Sequence, residues 1–237
     1  MKKTVLAVAL SAAMVAPTIS AVELKTDDQK VSYSVGLMVG EQLKTIPDLD
    51  FDAFYEAVQT TYNGKDAKLT PEQVREVMEA YQKKQMAAQK DKFDKLSSDN
   101  LEKGKNYLAE NGKKSGVKTT ESGLQYEELK AGAGSMPTAQ DTVKVHYRGT
   151  LIDGTEFDSS YSRNEPVSFP LNGVIPGWTE GLQLIKEGGK GRLVIPSDLA
   201  YGPGGMGNAI GPNETLIFEV ELLEINPGQE EAQAEAK

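Results

Sequence analysis

The stretch from Thr70 to Gly112 carries a helical pattern that is polar nearly all round, and it sets the architecture of everything on either side. Thr70-Pro71-Glu72-Gln73 is a strong helix start. Threonine caps the first free amides, proline takes the first helical position, where no N–H is needed, and glutamine follows three residues after the cap. No breaker comes before Asn111-Gly112, which makes a helix of about 60 Å at about 1.5 Å per residue. Its first turns carry Val74, Val77, Met78 and Tyr81 on one face. From Gln82 to Lys105 the large apolar residues thin out to Met86, Phe93, Leu96 and Leu101 among many lysines, with i,i+4 pairs such as Asp91 and Lys95. Such a helix is not a core element; it bridges domains through solvent, and its lysines read as a solvated face. Ser97-Ser98-Asp99-Asn100 and Gly104 are the places where a bend is expected. The chain is therefore expected to be two folded parts joined by a connector, residues 70–112.

Before the connector, residues 22–69 read as short helices. Val31, Val35, Met38 and Leu43 form one rough apolar stripe, and Phe51, Phe54, Tyr55 and Val58 form another. Ile46-Pro47-Asp48 separates them and Asn63-Gly64 ends the second. A segment this short cannot bury a self-sufficient core and needs a staple or a partner. The chain has no cysteine and this segment has no cluster of metal ligands, so the reading is an all-α dimerisation domain.

After the connector the period changes to an alternating one. Thr142–Gly149 places Val143, Val145 and Tyr147 on one face and Lys144, His146 and Arg148 on the other. Asp153-Gly154 sits between β-like runs as a hairpin turn would. Residues 176–187 put Trp178, Leu182 and Ile185 on one face of a short helix. "GRLVIP" and "TLIFEVELLEI" close the region as strands, the latter burying Leu216, Phe218, Val220 and Leu222. Residues 113–226 are thus expected to be an α+β domain, an antiparallel sheet wrapped over one short helix. The acidic tail, 227–237, lacks an apolar pattern and reads as disordered. At the other end, residues 1–21 combine Lys2 and Lys3, an apolar run and small residues near Ala21, as a cleavable secretory signal peptide does. The expectation is a soluble, exported, periplasmic protein without membrane insertion; outer-membrane association stays open.

Little of the usual catalytic inventory is present. Gly202, Gly204 and Gly207 spell the dinucleotide fingerprint G-x-G-x-x-G. They do not follow a buried strand or open a helix, so they do not read as a nucleotide site. The net charge of −9 argues against nucleic-acid partners. His146, the one histidine, lies on the lysine and arginine face of its strand and reads as a solvated surface residue. With no cysteine beside it, neither a zinc site nor any other metal or cofactor is expected. What remains is a set of aromatic and branched residues near turns. It fits a core, or a concave apolar site with a few polar groups.

These residues carry a resemblance. "VHYRGTLIDGTEFDSS", "VIPGWTEGLQLIKEGGKGRLVIPSDLAYG" and "IGPNETLIFEVELLEI" resemble the FKBP-type peptidyl-prolyl cis-trans isomerases. The N-terminal segment, helical domain and long helix resemble the periplasmic Mip/FkpA-type subgroup. The resemblance implies an isomerase acting on X-Pro bonds of unfolded or proline-containing polypeptides, as a homodimer, without cofactor or metal. By position it implies a proline pocket lined by Tyr147, Phe157, Val174, Ile175, Trp178, Tyr201 and Phe218, with Trp178 as the floor. Asp158 would be the carboxylate at the pocket edge, and the Ile175 amide and Tyr201 hydroxyl would bind substrate carbonyls. Macrolide inhibitors are a further ligand class of the family. Val167, where the eukaryotic pattern has an aromatic rim residue, and the small Ala209-Ile210 pair weaken that expectation more than the one for catalysis. Residues 202–212 would be a flap over the pocket, with glycines for its turns. A non-catalytic chaperone that holds unfolded chains in a dimeric cradle is the rival class.

Overall fold

A computed structural model describes residues 23–227. The expected signal peptide, 1–21, and the tail beyond Pro227 lie outside the described residues. The chain divides into two compact units between Val74 and Arg75.

The first unit contains α1 (Asp27–Leu43) and α2 (Phe51–Tyr62). Thr26 and Gln29 form a capping box at the start of α1, and Asp50 caps α2 by accepting from the Ala53 amide at 2.9 Å. Neither helix has a buried residue. Met38 is 71% exposed, and Val31, Val35, Phe51 and Tyr55 are mostly exposed as well.

The connector is one unbroken helix, α3 (Pro71–Asn111). Its N-terminal capping box is that expected at Thr70 and Gln73, with bonds of 3.2 and 2.9 Å. Lys95 pairs forward with Asp99 at 2.9 Å rather than back with Asp91. The expectation of a solvent-bridging helix fails over its last third, which docks on the C-terminal domain. Ser97, Asn100, Gly104, Leu108 and Asn111 lie on one face, and Asn100, Gly104 and Asn111 are buried. The positions expected to bend are thus docking points on a continuous helix. The Gln125 side chain ties it to the sheet, donating to the Leu108 carbonyl (2.8 Å) and accepting from Asn111 Nδ2 (2.9 Å).

The sheet has seven antiparallel strands: β1 (Val117–Thr119), β2 (Gln125–Lys130), β3 (Thr142–Leu151), β4 (Glu156–Ser159), β5 (Val167–Pro170), β6 (Lys190–Ile195) and β7 (Leu216–Ile225). Their order is β1-β2-β6-β7-β3-β4, with β5 also pairing with β3. The alternation along β3 and β7 turns one residue in two into a core containing Val143, Val145, Leu193, Leu216, Val220 and Leu222. On the opposite face the charges alternate from strand to strand. Glu127 of β2, Arg192 of β6 and Glu219 of β7 bond in series at 2.8 and 3.0 Å, and Arg148 of β3 pairs with Glu156 of β4 at 2.6 Å. The basic face of β3 therefore meets carboxylates on both neighbouring strands.

One helix, α4 (Pro176–Leu182), packs on the inner face. Gly177 and Gly181 face β6: a Cβ at either would stand 2.3 Å from Ile195 or 2.6 Å from Leu193. The two glycines bring the helix backbone close enough for Trp178 and Leu182 to enter the core. The helix ends five residues before the expected Glu187. Leu184 and Ile185 close tighter turns onto the Gly181 and Leu182 carbonyls, and Ile185 is still buried.

Candidate functional site

A cleft of about 390 Å³ opens between α4, β3, β4, β5 and the segment after β6. It gathers Tyr147 from β3, Phe157 and Asp158 from β4, Val167 from β5, Val174 and Ile175 at the start of α4, and Trp178, Tyr201 and Phe218. Trp178 forms the base of an aromatic box. Tyr147 and Phe218 meet it edge to face at 5.1 and 5.0 Å, Phe169 tilts against it at 5.2 Å, and Phe157 meets Phe218 edge to face at 5.5 Å. These are favoured aromatic geometries. The Trp178 Nε1–H is buried without a hydrogen-bond partner among the described residues. An orphaned donor of this kind costs about 1–3 kcal/mol, a penalty carried at the floor of the cleft.

The polar side of the cleft is a triad of side chains. The Tyr147 hydroxyl donates to Asp158 Oδ2. Arg163 Nη1 bonds Asp158 Oδ1 at 2.6 Å, and its Nη2 donates to the Tyr147 oxygen at 3.1 Å. Burial pushes the Asp158 carboxyl up, but the bonds from Tyr147 and Arg163 and the guanidinium charge outweigh it and hold the pKa below the ordinary 3.8. Burial, and next the bond to Asp158, push the Tyr147 phenol up; burial and then the Asp158 charge do the same for Tyr201. At neutral pH the cleft holds one fixed carboxylate and two neutral phenols. None of the three is poised to exchange a proton.

Besides the buried Trp178 Nε1–H, two donors at the cleft are free. Among the described residues no hydrogen bond is made by the Tyr201 hydroxyl, and the Ile175 N–H has no backbone partner. Ile175 is the residue before Pro176, which opens α4, and its carbonyl accepts from Trp178 and Thr179 at 2.9 and 3.1 Å. The helix start thus fixes the residue whose amide is left over.

Of the residues expected at the site, only Ala209 and Ile210 do not line the cleft. Ile210 is 2% exposed and belongs to the core. Met206, which bridges to Ile210 through bonds of 2.8 and 3.2 Å, lines the cleft from this loop instead. Phe169 and Gly173 also line it and were not foreseen; the alternation of "VSFP" was the available signal for Phe169. Arg163 had none. A turn through Ser160–Asn164, with Asn164 at φ 53°, brings it back onto Asp158. His146 is not the solvated residue expected. It is half-buried, stacked on Tyr161 at 4.7 Å, with Nδ1 2.9 Å from the Ser160 hydroxyl. Ser160 also accepts from the Tyr147 amide at 2.8 Å, so the histidine braces the strand behind the cleft. The expected dinucleotide mimic is a loop: Gly202–Gly204 make a single 3₁₀ turn, and β7, not a helix, follows.

Residues 134–223 match the family model described as FKBP-type peptidyl-prolyl cis-trans isomerase, and residues 28–127 match that of the domain amino-terminal to it. The chain is 47% identical to the "Probable FKBP-type peptidyl-prolyl cis-trans isomerase FkpA" of Neisseria meningitidis serogroup B, covering 88% of this chain and 80% of that one. It is 42% identical to "Outer membrane protein MIP" of Legionella longbeachae, over 93% and 94% of the two chains. The crystal structure of FkpA from Escherichia coli superposes with a TM-score of 0.76 at 44% identity, covering 86% of this chain and 98% of that one. The chain belongs to the FKBP-type peptidyl-prolyl cis-trans isomerase family. Its fold, a helical N-terminal region, a long helix and a C-terminal antiparallel sheet, is that of the Mip/FkpA group.

Proposed function

We propose that the chain performs the family's reaction, rotation about X-Pro bonds, in the cleft floored by Trp178. The observation that carries this assignment is the combination of an aromatic box with two free donors and no proton-transfer group. An X-Pro bond crosses a barrier of about 18–20 kcal/mol, and no covalent bond breaks on the way. The planar amide is polar through resonance, and the twisted transition state has lost that resonance. An apolar cleft therefore favours the twisted state relative to water, while the Ile175 amide and Tyr201 hydroxyl hold flanking carbonyls. The proline ring rests on Trp178, walled by Phe157, Val174 and Phe218, with Val167 at the rim. Asp158, locked by Tyr147 and Arg163, keeps a fixed charge at the edge. A protease-free assay on Leu-Pro and Phe-Pro peptides tests the assignment. Turnover without metal or nucleotide is expected, and the uncatalysed rate at micromolar protein would refute it.

We further propose that the first unit is a homodimerisation domain. Its support is the apolar surface of α1 and α2, including an open groove along α1 beside Leu24, Tyr33 and Leu37. Two linked clefts would raise the local concentration of sites on an unfolded chain, which suits chaperone activity beside isomerisation. The motif of residues 1–21 supports export to the periplasm, and the Legionella relative's printed name, "Outer membrane protein MIP", keeps outer-membrane association open. Among the described residues no helix is long and apolar enough to cross a membrane. Light scattering on the full chain tests the dimer: a monomer at micromolar concentration would refute it.

A further inference from the structure

The last third of α3 makes two different kinds of contact. Near its end, Leu108 and Asn111 bond the Gln125 side chain of β2, which suffices to fasten the helix to the sheet. Two turns earlier the contacts go elsewhere. Asn100 Nδ2 donates to the Pro212 carbonyl at 2.9 Å, and Asn213 Nδ2 donates to the Ser97 hydroxyl at 2.7 Å. Gly104 lies against Thr215 so closely that a Cβ would stand 2.3 Å from its hydroxyl. Asn100 and Thr215 are 5% and 3% exposed, so neither can swing aside. All three contacts land on the C-terminal limb of the loop that joins Tyr201 to β7.

That limb is wired to the cleft. The Asn213 amide donates to the Gly202 carbonyl at 2.8 Å, closing the loop's exit onto its entry beside Tyr201. Asn213 holds this geometry at φ 54°, a conformation that asparagine tolerates better than most residues. Ile210, two residues before Pro212, is anchored in the core and pairs with Met206, which lines the cleft. The tip between them, residues 207–209, is exposed, and among the described residues the Met206–Ile210 pairing closes its base.

We propose that Ser97, Asn100 and Gly104 of α3 are positioning residues for peptide binding, setting the height of the 202–215 loop over the cleft through Pro212, Asn213 and Thr215. The proposal rests on the cleft being the peptide site. On this reading α3 is not a passive spacer: the turns that carry Ser97, Asn100 and Gly104 set the loop that binds, although none of these residues touches the peptide. Their effect should fall on affinity rather than on the rotation step, because the loop contributes Met206 and the mounting of Tyr201 but not the aromatic floor.

The test uses the full chain carrying Ser97→Ala and Asn100→Ala together, with Asn111→Ala as a control that loosens the helix from the sheet without touching the loop. Trp178 is the sole tryptophan, so its fluorescence reports binding of a Phe-Pro tetrapeptide directly. With both hydrogen bonds lost, KM and the peptide Kd should rise about fivefold or more, with kcat within about twofold. Amide exchange at Met206 and Ile210 should quicken about tenfold while Val194 and Val220 in the sheet keep their wild-type rates. Ser97→Thr, which retains the hydroxyl, should behave as wild type. Wild-type KM and loop exchange in the double variant would overturn the proposal. So would an equal KM rise in Asn111→Ala, or equal acceleration at Val194 and Val220, since either means general loosening. If the wild-type protein itself shows neither turnover nor a Trp178 response, the cleft assignment fails instead.

Discussion

Leu193, Leu216 and Val220 of the sheet are fully shut from water, whereas Val31 and Val35 of α1 are more than half exposed and Tyr62 at the end of α2 is 90% exposed. Both regions spend comparable residue types on apolar stripes. The sheet folds its stripes against α4 and so completes a core within one chain. Among the described residues the two short helices of the first unit have no second layer to close on, and their stripes stay on the surface. Burying a valine, phenylalanine or methionine side chain contributes about 1.5–3 kcal/mol. The difference is that the second unit closes an apolar core of its own, whereas the described helices of the first leave their apolar stripes exposed.

The sharpest way to break this comparison is to make the face of α1 polar. Val35→Asp with Met38→Asp removes two apolar contacts, and association should weaken roughly a hundredfold to ten-thousandfold. Sedimentation should then show monomers at concentrations where the wild type is expected to be a dimer, while peptide isomerisation per chain stays unchanged because the cleft lies in the other unit. An unchanged oligomeric state would mean that α1 is not the interface. In the second unit, replacing Phe157 by Ala and Asp158 by Asn together should cut kcat/KM at least about tenfold, or ~1.4 kcal/mol, with native circular dichroism. Full activity in that folded variant would remove these residues from the site.

Arg163→Met should cost less, about threefold to tenfold in kcat/KM, because it frees Asp158 and Tyr147 to rotate without removing either. Arg163→Lys should recover only part of the loss, since a single ammonium cannot hold both oxygens of the pair. The smallest effect expected is that of pH. The Asp158 pKa is depressed below 3.8, so the stability it contributes is present above that value and lost as pH falls through the folded pKa. The phenols of Tyr147 and Tyr201 are raised above 10.0, so their contribution is present below that value and lost as pH rises through the folded pKa. Isomerase rates should therefore be flat from about pH 5 to about pH 9. A step inside that window would count against the fixed carboxylate and two neutral phenols assigned to the cleft.

The sequence by itself determined the elements whose signal is local. The capping box at Thr70, the alternation of β3 and the punctuation at Asn111-Gly112 depend on neighbours within a few residues, and the structure has them. All the aromatic residues of the cleft except Phe169 were legible through the family resemblance, whose motifs are contiguous blocks of sequence. Tertiary structure alone decided the rest. Apart from Leu108, the docking face of α3 is built of serine, asparagine and glycine, which carry no apolar signal; Asn100 and Gly104 become buried because Pro212 and Thr215 approach them, and Asn111 because Gln125 does. Arg163 reaches Asp158 only through a turn that no spacing announces. Met206 replaces Ile210 at the cleft because a glycine-rich loop can present either side chain, and the core takes the one it can bury. Periodicity reports which face of an element is apolar. It is silent on small and polar surfaces, where burial depends on the shape of what comes to meet them.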